Sequence, residues 1–480
     1  MPALITILTA LGAVALLSCD SQSGSGWAPP APLEAAVGSI NSVEIAMNAD
    51  GDAIAVWSSH VEPGFATSDY SVWAARFTPR SGWGTATKLG SADGRQGASQ
   101  PAIAVNDEGQ AIVAWEEWAS DDDDQSGEGV WVTRFDPETQ WEAPVLLGAA
   151  GNNATVALND NGQAVVAWWT RRDAGIWVSL LDSDLRPSAP ERLDRDCTQR
   201  EDSGDDPFLS YAPSQSRNPE VAMSDSGQAV VIWDDNENEA SALANCDDQM
   251  SLRASQYAPD GGWSGPTKLG VRSAPFGTLH AAVAFDQAGK ALAGSQEGKL
   301  SSYTESSGWS SIDLGVDDRF ASVAMAKSGH AIAVWETADR DQQPASIRAI
   351  RFSPEEGWGE PALFSGGAQS SPTDSPAAKS PTILDSASAD VAVNDAGDSL
   401  VVWHQVGLPS VRSSFDVWAN HYTSGRGWST PTALSVGGTI EAAGPRVVVD
   451  SMGRGIAVWQ QAEVSADSRD TVRLMWSRFE

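Results

Sequence analysis

Ile103-Ala104-Val105-Asn106-Asp107-Glu108-Gly109-Gln110-Ala111-Ile112-Val113-Ala114-Trp115 decides the fold, because the chain spells this phrase eight times. Two short Val/Ile/Ala runs flank an Asn-Asp-x-Gly turn. The Asx side chain caps such a turn, and glycine supplies the positive φ that it needs. The phrase predicts a β-hairpin whose strands, A and B, are apolar on both faces and covered on both sides. The first copy begins at Ile45 and turns at Gly51; the others turn at Gly162, Gly227, Gly289, Gly329, Gly397 and Gly453. Tryptophan stands six residues after the glycine in seven copies: Trp57, Trp115, Trp168, Trp233, Trp335, Trp403 and Trp459. The fifth copy has Ser295 there.

A second phrase follows each hairpin. Val72-Trp73-Ala74-Ala75-Arg76-Phe77 leads to Gly82-Trp83 and Leu89; Val417-Trp418 leads to Tyr422, Gly427-Trp428 and Leu434. These read as two more strands, C and D, so each repeat is a four-stranded antiparallel meander. Eight of them make an all-β, single eight-bladed β-propeller over residues 26–480. The last copy reaches strand C at 472–479. The segment Gly26-Trp27-Ala28-Pro29-Pro30-Ala31-Pro32-Leu33 matches Gly262-Trp263-Ser264-Gly265-Pro266-Thr267-Lys268-Leu269 at Gly, Trp, Pro and Leu. The N-terminal strand is therefore expected to supply strand D of the last blade and close the ring.

The repeats resemble sialidase-like propellers with Asp-box motifs, which also carry Asp-x-Gly and a nearby Trp. The resemblance implies architecture only. The Asp box places its Trp closer to the glycine, and sialidase chemistry needs an arginine cluster, a tyrosine nucleophile and carboxylates, a constellation that the sequence does not assemble.

Residues 1–18 read as an apolar signal peptide, too short for a membrane span, with no Lys or Arg among the first ten. Leu16-Leu17-Ser18-Cys19 resembles the lipobox of bacterial lipoproteins. The resemblance implies cleavage before Cys19 and acylation of its thiol. Residues 19–25 would then be a lipidated tether, and the protein would sit in the bacterial cell envelope, lipid-anchored and periplasmic or surface-exposed. Export favours disulfides. Cys197 and Cys246 are the other two cysteines, placed in two loops on one end of the same blade, and are expected to pair.

Sixty-four acidic residues against 30 Lys and Arg give a formal net charge of -34, which excludes nucleic acid as a partner. The same excess disfavours electrostatic adhesion to anionic lipid, leaving the lipid anchor as the membrane contact.

In a propeller the A–B and C–D turns share one end, and here they are short. The B–C and D–A connections share the other end and are long and irregular, which is where function usually resides. Trp118, Trp169, His60 and His404 follow strand B on that end and are the candidate ligand-binding residues. The other 19 tryptophans recur at fixed strand positions and read as packing. The acidic run Asp121, Asp122, Asp123 and Asp124, with Asp234 and Asp235, offers oxygen ligands for a divalent cation such as Ca²⁺, or is simply a solvated acidic surface. Beyond that cation no cofactor is expected. No His-x-x-x-His, Gly-x-Ser-x-Gly or phosphate-binding motif stands in a fitting context. The leading expectation is a non-catalytic, monomeric envelope lipoprotein whose long-loop face binds protein or glycan. The alternative is a polysaccharide-active enzyme, glycosidase or lyase, with carboxylates at the channel mouth. A third reading is a scaffold component of an envelope complex.

Overall fold

The computed structural model describes residues 26–33, 36, 39–60, 70–90, 96–119, 129–148, 151–170, 175–194, 215–236, 250–272, 282–294, 299–314, 319–336, 346–364, 389–406, 415–435, 440–463 and 472–480. Every regular element in them is a β-strand. Eight antiparallel meanders follow one another, each with strand order A-B-C-D. Blade 1 is typical: A is Ser39–Met47, B is Ala53–His60, C is Tyr70–Thr78, and D is broken into Gly82–Trp83 and Thr87–Gly90. The A strands of successive blades pack together, and those of blades 8 and 1 meet, so the ring is closed around an axial lumen.

The turn chemistry is that expected. In seven blades an Asn, Asp or Ser three residues before the glycine accepts the amide N–H of the residue four further on, as Asn106 does from Gln110 at 2.9 Å. Gly109 sits at φ +76°, where a Cβ would be strained. Strand B is the buried spine of each blade: the seven tryptophans that stand six residues after the turn glycine are fully buried. Several indoles satisfy their N–H two residues further along the same strand. Trp115 donates to Glu117 at 2.9 Å, Trp403 to Gln405 at 3.3 Å and Trp459 to Gln461 at 3.1 Å.

The tryptophan that opens strand D packs on the aromatic that ends strand C, with centroids 5.2–5.4 Å apart in seven blades. A cation one residue before that aromatic stitches blade to blade. Arg351 of blade 6 lies 3.4 Å over the Tyr422 ring of blade 7, and Arg478 of blade 8 lies 5.7 Å over Phe77 of blade 1.

The N-terminal strand closes blade 8. Ala31 pairs with Trp476 and Pro32 with Met475. Gly26, Ala28 and Leu33 donate backbone N–H bonds to Glu480, Arg478 and Leu474 at 2.7, 2.7 and 2.8 Å. Trp27 packs on Phe479 at 5.4 Å, and Leu33 is buried among Ile40, Val43, Trp57, Val458 and Leu474. That cluster joins the first blade to the last.

Two features depart from expectation. The A strands of six blades carry a β-bulge, after Ile40, Ser99, Asn152, Arg217, Phe320 and Ala443. Gln100, Asn153, Asn218 and Gly444 take positive φ at theirs. Strand pairing resumes beyond the bulge, so strand B runs past its tryptophan into stretches expected to be loops. His60, Trp118, Trp169, Asp234, Asp235 and His404 therefore belong to strand B itself.

Burial of Leu33 is worth about 1.5–3 kcal/mol, and the partly buried Trp27 adds its packing on Phe479. Deleting residues 25–33 is expected to lower the melting temperature by roughly 10 °C. A differential scan of the truncated protein that overlays the full-length one would exclude closure by this strand.

Candidate functional site

The repeat register sorts the lumen into layers, because residues two apart on a strand share a face. Four residues before the turn Asx, the eight A strands present Glu44, Ala102, Thr155, Glu220, Ala282, Ser322, Asp390 and Arg446. These form a belt whose members reach from blade to blade. Arg446 Nε donates to both oxygens of Glu44 at 2.9 and 2.8 Å. Thr155 donates to Glu220 at 3.3 Å and Ser322 to Asp390 at 3.4 Å. Asp390 also accepts the Val447 amide at 2.9 Å. Glu44 and Arg446 keep 34% and 28% of their side-chain surface open, so the belt is wet but enclosed by protein.

Enclosure sets the charge states. Burial, reinforced by the negative charge of Glu44, pushes Glu220 up to about 8. Burial likewise raises Asp390, against the pull of Arg446 and the Val447 N–H. Arg446 is raised by the Glu44 carboxylate beside it. At neutral pH the belt thus holds an ion pair, Glu44 with Arg446, and opposite it a protonated Glu220 able to donate or accept a hydrogen bond.

Two residues further along strand A comes a collar of small side chains: Ala46, Ala104, Ala157, Ala222, Ala284, Ala324, Ala392 and Val448. Beyond it lie the turns. Toward the long-loop end the belt is overhung by the bulges, where Asn153 donates to Asn218 at 3.1 Å and Gln460 to the Asn41 carbonyl at 2.9 Å.

The expected ligand residues divide. His60 packs edge-on against Tyr70 at 5.4 Å, and Tyr70 lies 6.4 Å from Trp118 of blade 2. These three half-buried rings form one aromatic group that bridges two blades at the long-loop end. Trp169 is half-buried against the core between blades 3 and 4. His404 stands apart on blade 7, edge-on to Phe415 at 5.5 Å.

Asp234 and Asp235 are buried rather than presented on a loop. Asp235 pairs with Arg253 at 2.5 Å, and Asp234 accepts from Asn218 at 3.4 Å. Their charges are committed to protein partners, and no group of three or more His, Cys, Asp or Glu suited to a metal occurs among the described residues. Asp121, Asp122, Asp123, Asp124, Cys19, Cys197 and Cys246 lie outside the described residues.

Sequence reading missed the belt because its residue types differ from blade to blade. Lining up the repeats column by column, four positions before each Asx, exposes it.

No known protein family matches the sequence, and no curated protein does. Similar solved structures exist at 11% identity or less. The PL25 ulvan lyase bound to [GlcA(1-4)Rha3S] covers 94% of this chain and 93% of its own, with a TM-score of 0.45. The Dos1 propeller covers 94% of each, with a TM-score of 0.46. A NanB sialidase from Streptococcus pneumoniae, 8% identical, covers 93% of this chain and 69% of its own, with a TM-score of 0.36.

Glu220 gives the fold a pH signature. Its folded value of about 8 lies above the ordinary 4.5, so its contribution to stability is complete at low pH and is lost as pH rises through 8. The melting temperature is expected to fall by a few degrees between pH 6 and 9, and Glu220→Gln is expected to flatten that slope. Parallel profiles for the two proteins would remove Glu220 from the belt's charge balance.

Proposed function

We propose that this protein is a non-catalytic, envelope-anchored propeller that binds a glycan at the long-loop end of its ring. The observation that carries this reading is the His60–Tyr70–Trp118 group. Other tryptophans of the repeat are consumed by packing inside or between blades. Two tryptophans stand outside the repeat pattern: Trp169 packs against the core between blades 3 and 4, and Trp118 lies three residues beyond the packing Trp115, where the repeat does not require an aromatic. Rings at a rim offer flat apolar faces for the C–H faces of a sugar, with polar tips for its hydroxyls. The belt adds hydrogen-bonding groups of both kinds in the lumen.

Lack of catalysis is supported by how the belt carboxylates are engaged. Glu44 is tied to Arg446, and Asp390 accepts from Ser322 and a backbone amide. The enzymatic alternative, a glycosidase or lyase, is favoured by one feature only, the protonated Glu220, which has the charge state of a general acid.

Trp118→Ala is expected to weaken binding to glycan-array hits about tenfold or more while leaving the melting temperature within about 1 °C. Equal binding by the variant would overturn the aromatic site. Release of reducing or unsaturated ends from a bound polysaccharide would overturn the non-catalytic reading.

Anchorage is proposed through acyl-Cys19, followed by the tether 20–25, with a Cys197–Cys246 disulfide bracing the long-loop end. Metabolic labelling with palmitate is expected to tag the wild type and not Cys19→Ser, which would move to the soluble fraction. Label retained in the variant would exclude Cys19 as the acylated residue.

A further inference from the structure

At the short-turn end of the axis, the residue after each turn Asx faces its counterparts around the ring: Ala49, Asp107, Asp160, Asp225, Gln287, Lys327, Asp395 and Ser451. The aspartates stitch this ring. Asp107 accepts the Ala49 amide at 3.4 Å, Asp160 the Asp107 amide at 3.0 Å, and Asp225 the Asp160 amide at 3.2 Å. Each carboxylate is thereby aimed along the ring with its other oxygen left over. Those spare oxygens, on blades 2, 3 and 4, converge on one atom. Lys327 Nζ of blade 6 donates to Asp107 Oδ2 at 2.7 Å and to Asp160 Oδ2, with Asp225 Oδ2 at 3.7 Å.

Blade 6 stands opposite blade 2 in an eightfold ring, so the lysine spans the lumen to reach them. Partial burial alone would lower its pKa, but the hydrogen bonds and charges of Asp107 and Asp160 outweigh burial and hold it well above the ordinary lysine range. The ammonium stays charged across the physiological range.

We propose that Asp107, Asp160 and Asp225 form a cradle on the axis that the Lys327 ammonium fills, a charge clamp across the ring. The cradle closes the short-turn end of the lumen and ties blade 6 to blades 2, 3 and 4, contacts that no neighbouring-blade interface supplies. Three carboxylates from three successive turns repel one another, and one cation among them turns that repulsion into a clamp.

Removing the lysine side chain leaves the three carboxylates to repel one another. Lys327→Ala is expected to melt about 5 °C or more below the wild type, and Lys327→Ala/Asp160→Asn, which also removes one of the repelling charges, is expected to melt above Lys327→Ala. A single variant that melts with the wild type would overturn the proposal, as would a double variant that melts no higher than the single one. Should the alanine variant not fold, Lys327→Gln keeps the side-chain length without the charge. The wild-type melting temperature is then expected to fall between 20 and 500 mM NaCl more steeply than that of the glutamine variant, since screening weakens a partly exposed ion pair about as the Debye length shrinks. Equal salt slopes would count against the clamp.

Discussion

A propeller is a closed ring only if its first and last segments share a sheet, and here that sharing rests on the backbone bonds of Gly26, Ala28 and Leu33 to the final strand. No internal blade depends on chain ends in this way. The bonds themselves are ordinary antiparallel pairing; what they achieve is geometric. With blade 8 complete, its A strand abuts that of blade 1, and Arg446 meets Glu44 across the seam. Trp27 against Phe479, and Leu33 among Ile40, Trp57 and Val458, seal the same seam with apolar surface. An open arc of sheets would leave the axial layers incomplete, because each is built from one residue per blade.

Those layers divide labour along the axis. The buried tryptophans of strand B fix the blades, and the small residues of the collar let eight A strands converge. Polar chemistry lines the lumen: a clamp of Lys327 with three aspartates at the short-turn end, and the belt of Glu44, Glu220, Asp390 and Arg446 toward the other. Burial there shifts protonation, as in Glu220, whose carboxyl is pushed up to about 8 by desolvation first and by the charge of Glu44 second. Outside the lumen, blades meet through apolar surface, through cation–π contacts such as Arg351 over Tyr422, and through hydrogen bonds such as Arg134 to the Gly162 carbonyl at 2.7 Å.

Much of this was legible in the sequence because the repeat uses the same atoms for the same task in each copy. The turn glycine, its capping Asx and the tryptophan six residues on are local devices with fixed chemistry, and the match between 26–33 and 262–269 revealed the closing strand. What escaped reading is what varies from copy to copy. The bulges at Asn41, Gln100, Asn153, Asn218, Ala321 and Gly444 keep no single residue type, although Gln100-Pro101 and Asn218-Pro219 hint at them, and they lengthen strand B enough to bury Asp234 and Asp235. Lys327 was visible as a lysine in a column where four other copies carry aspartate, but its partners lie two to four blades away, a distance that only the closed ring collapses.

Hydrogen exchange at the closing strand tests the central claim without altering the molecule. The amides of Ala28 and Leu33, donated to Arg478 and Leu474, are expected to exchange as slowly as those of strand C in the interior blades, and together with the peptide 472–480. Exchange of residues 26–33 at the rate of an unstructured chain, with 472–480 unprotected on its outer edge, would contradict a ring closed by its own two ends.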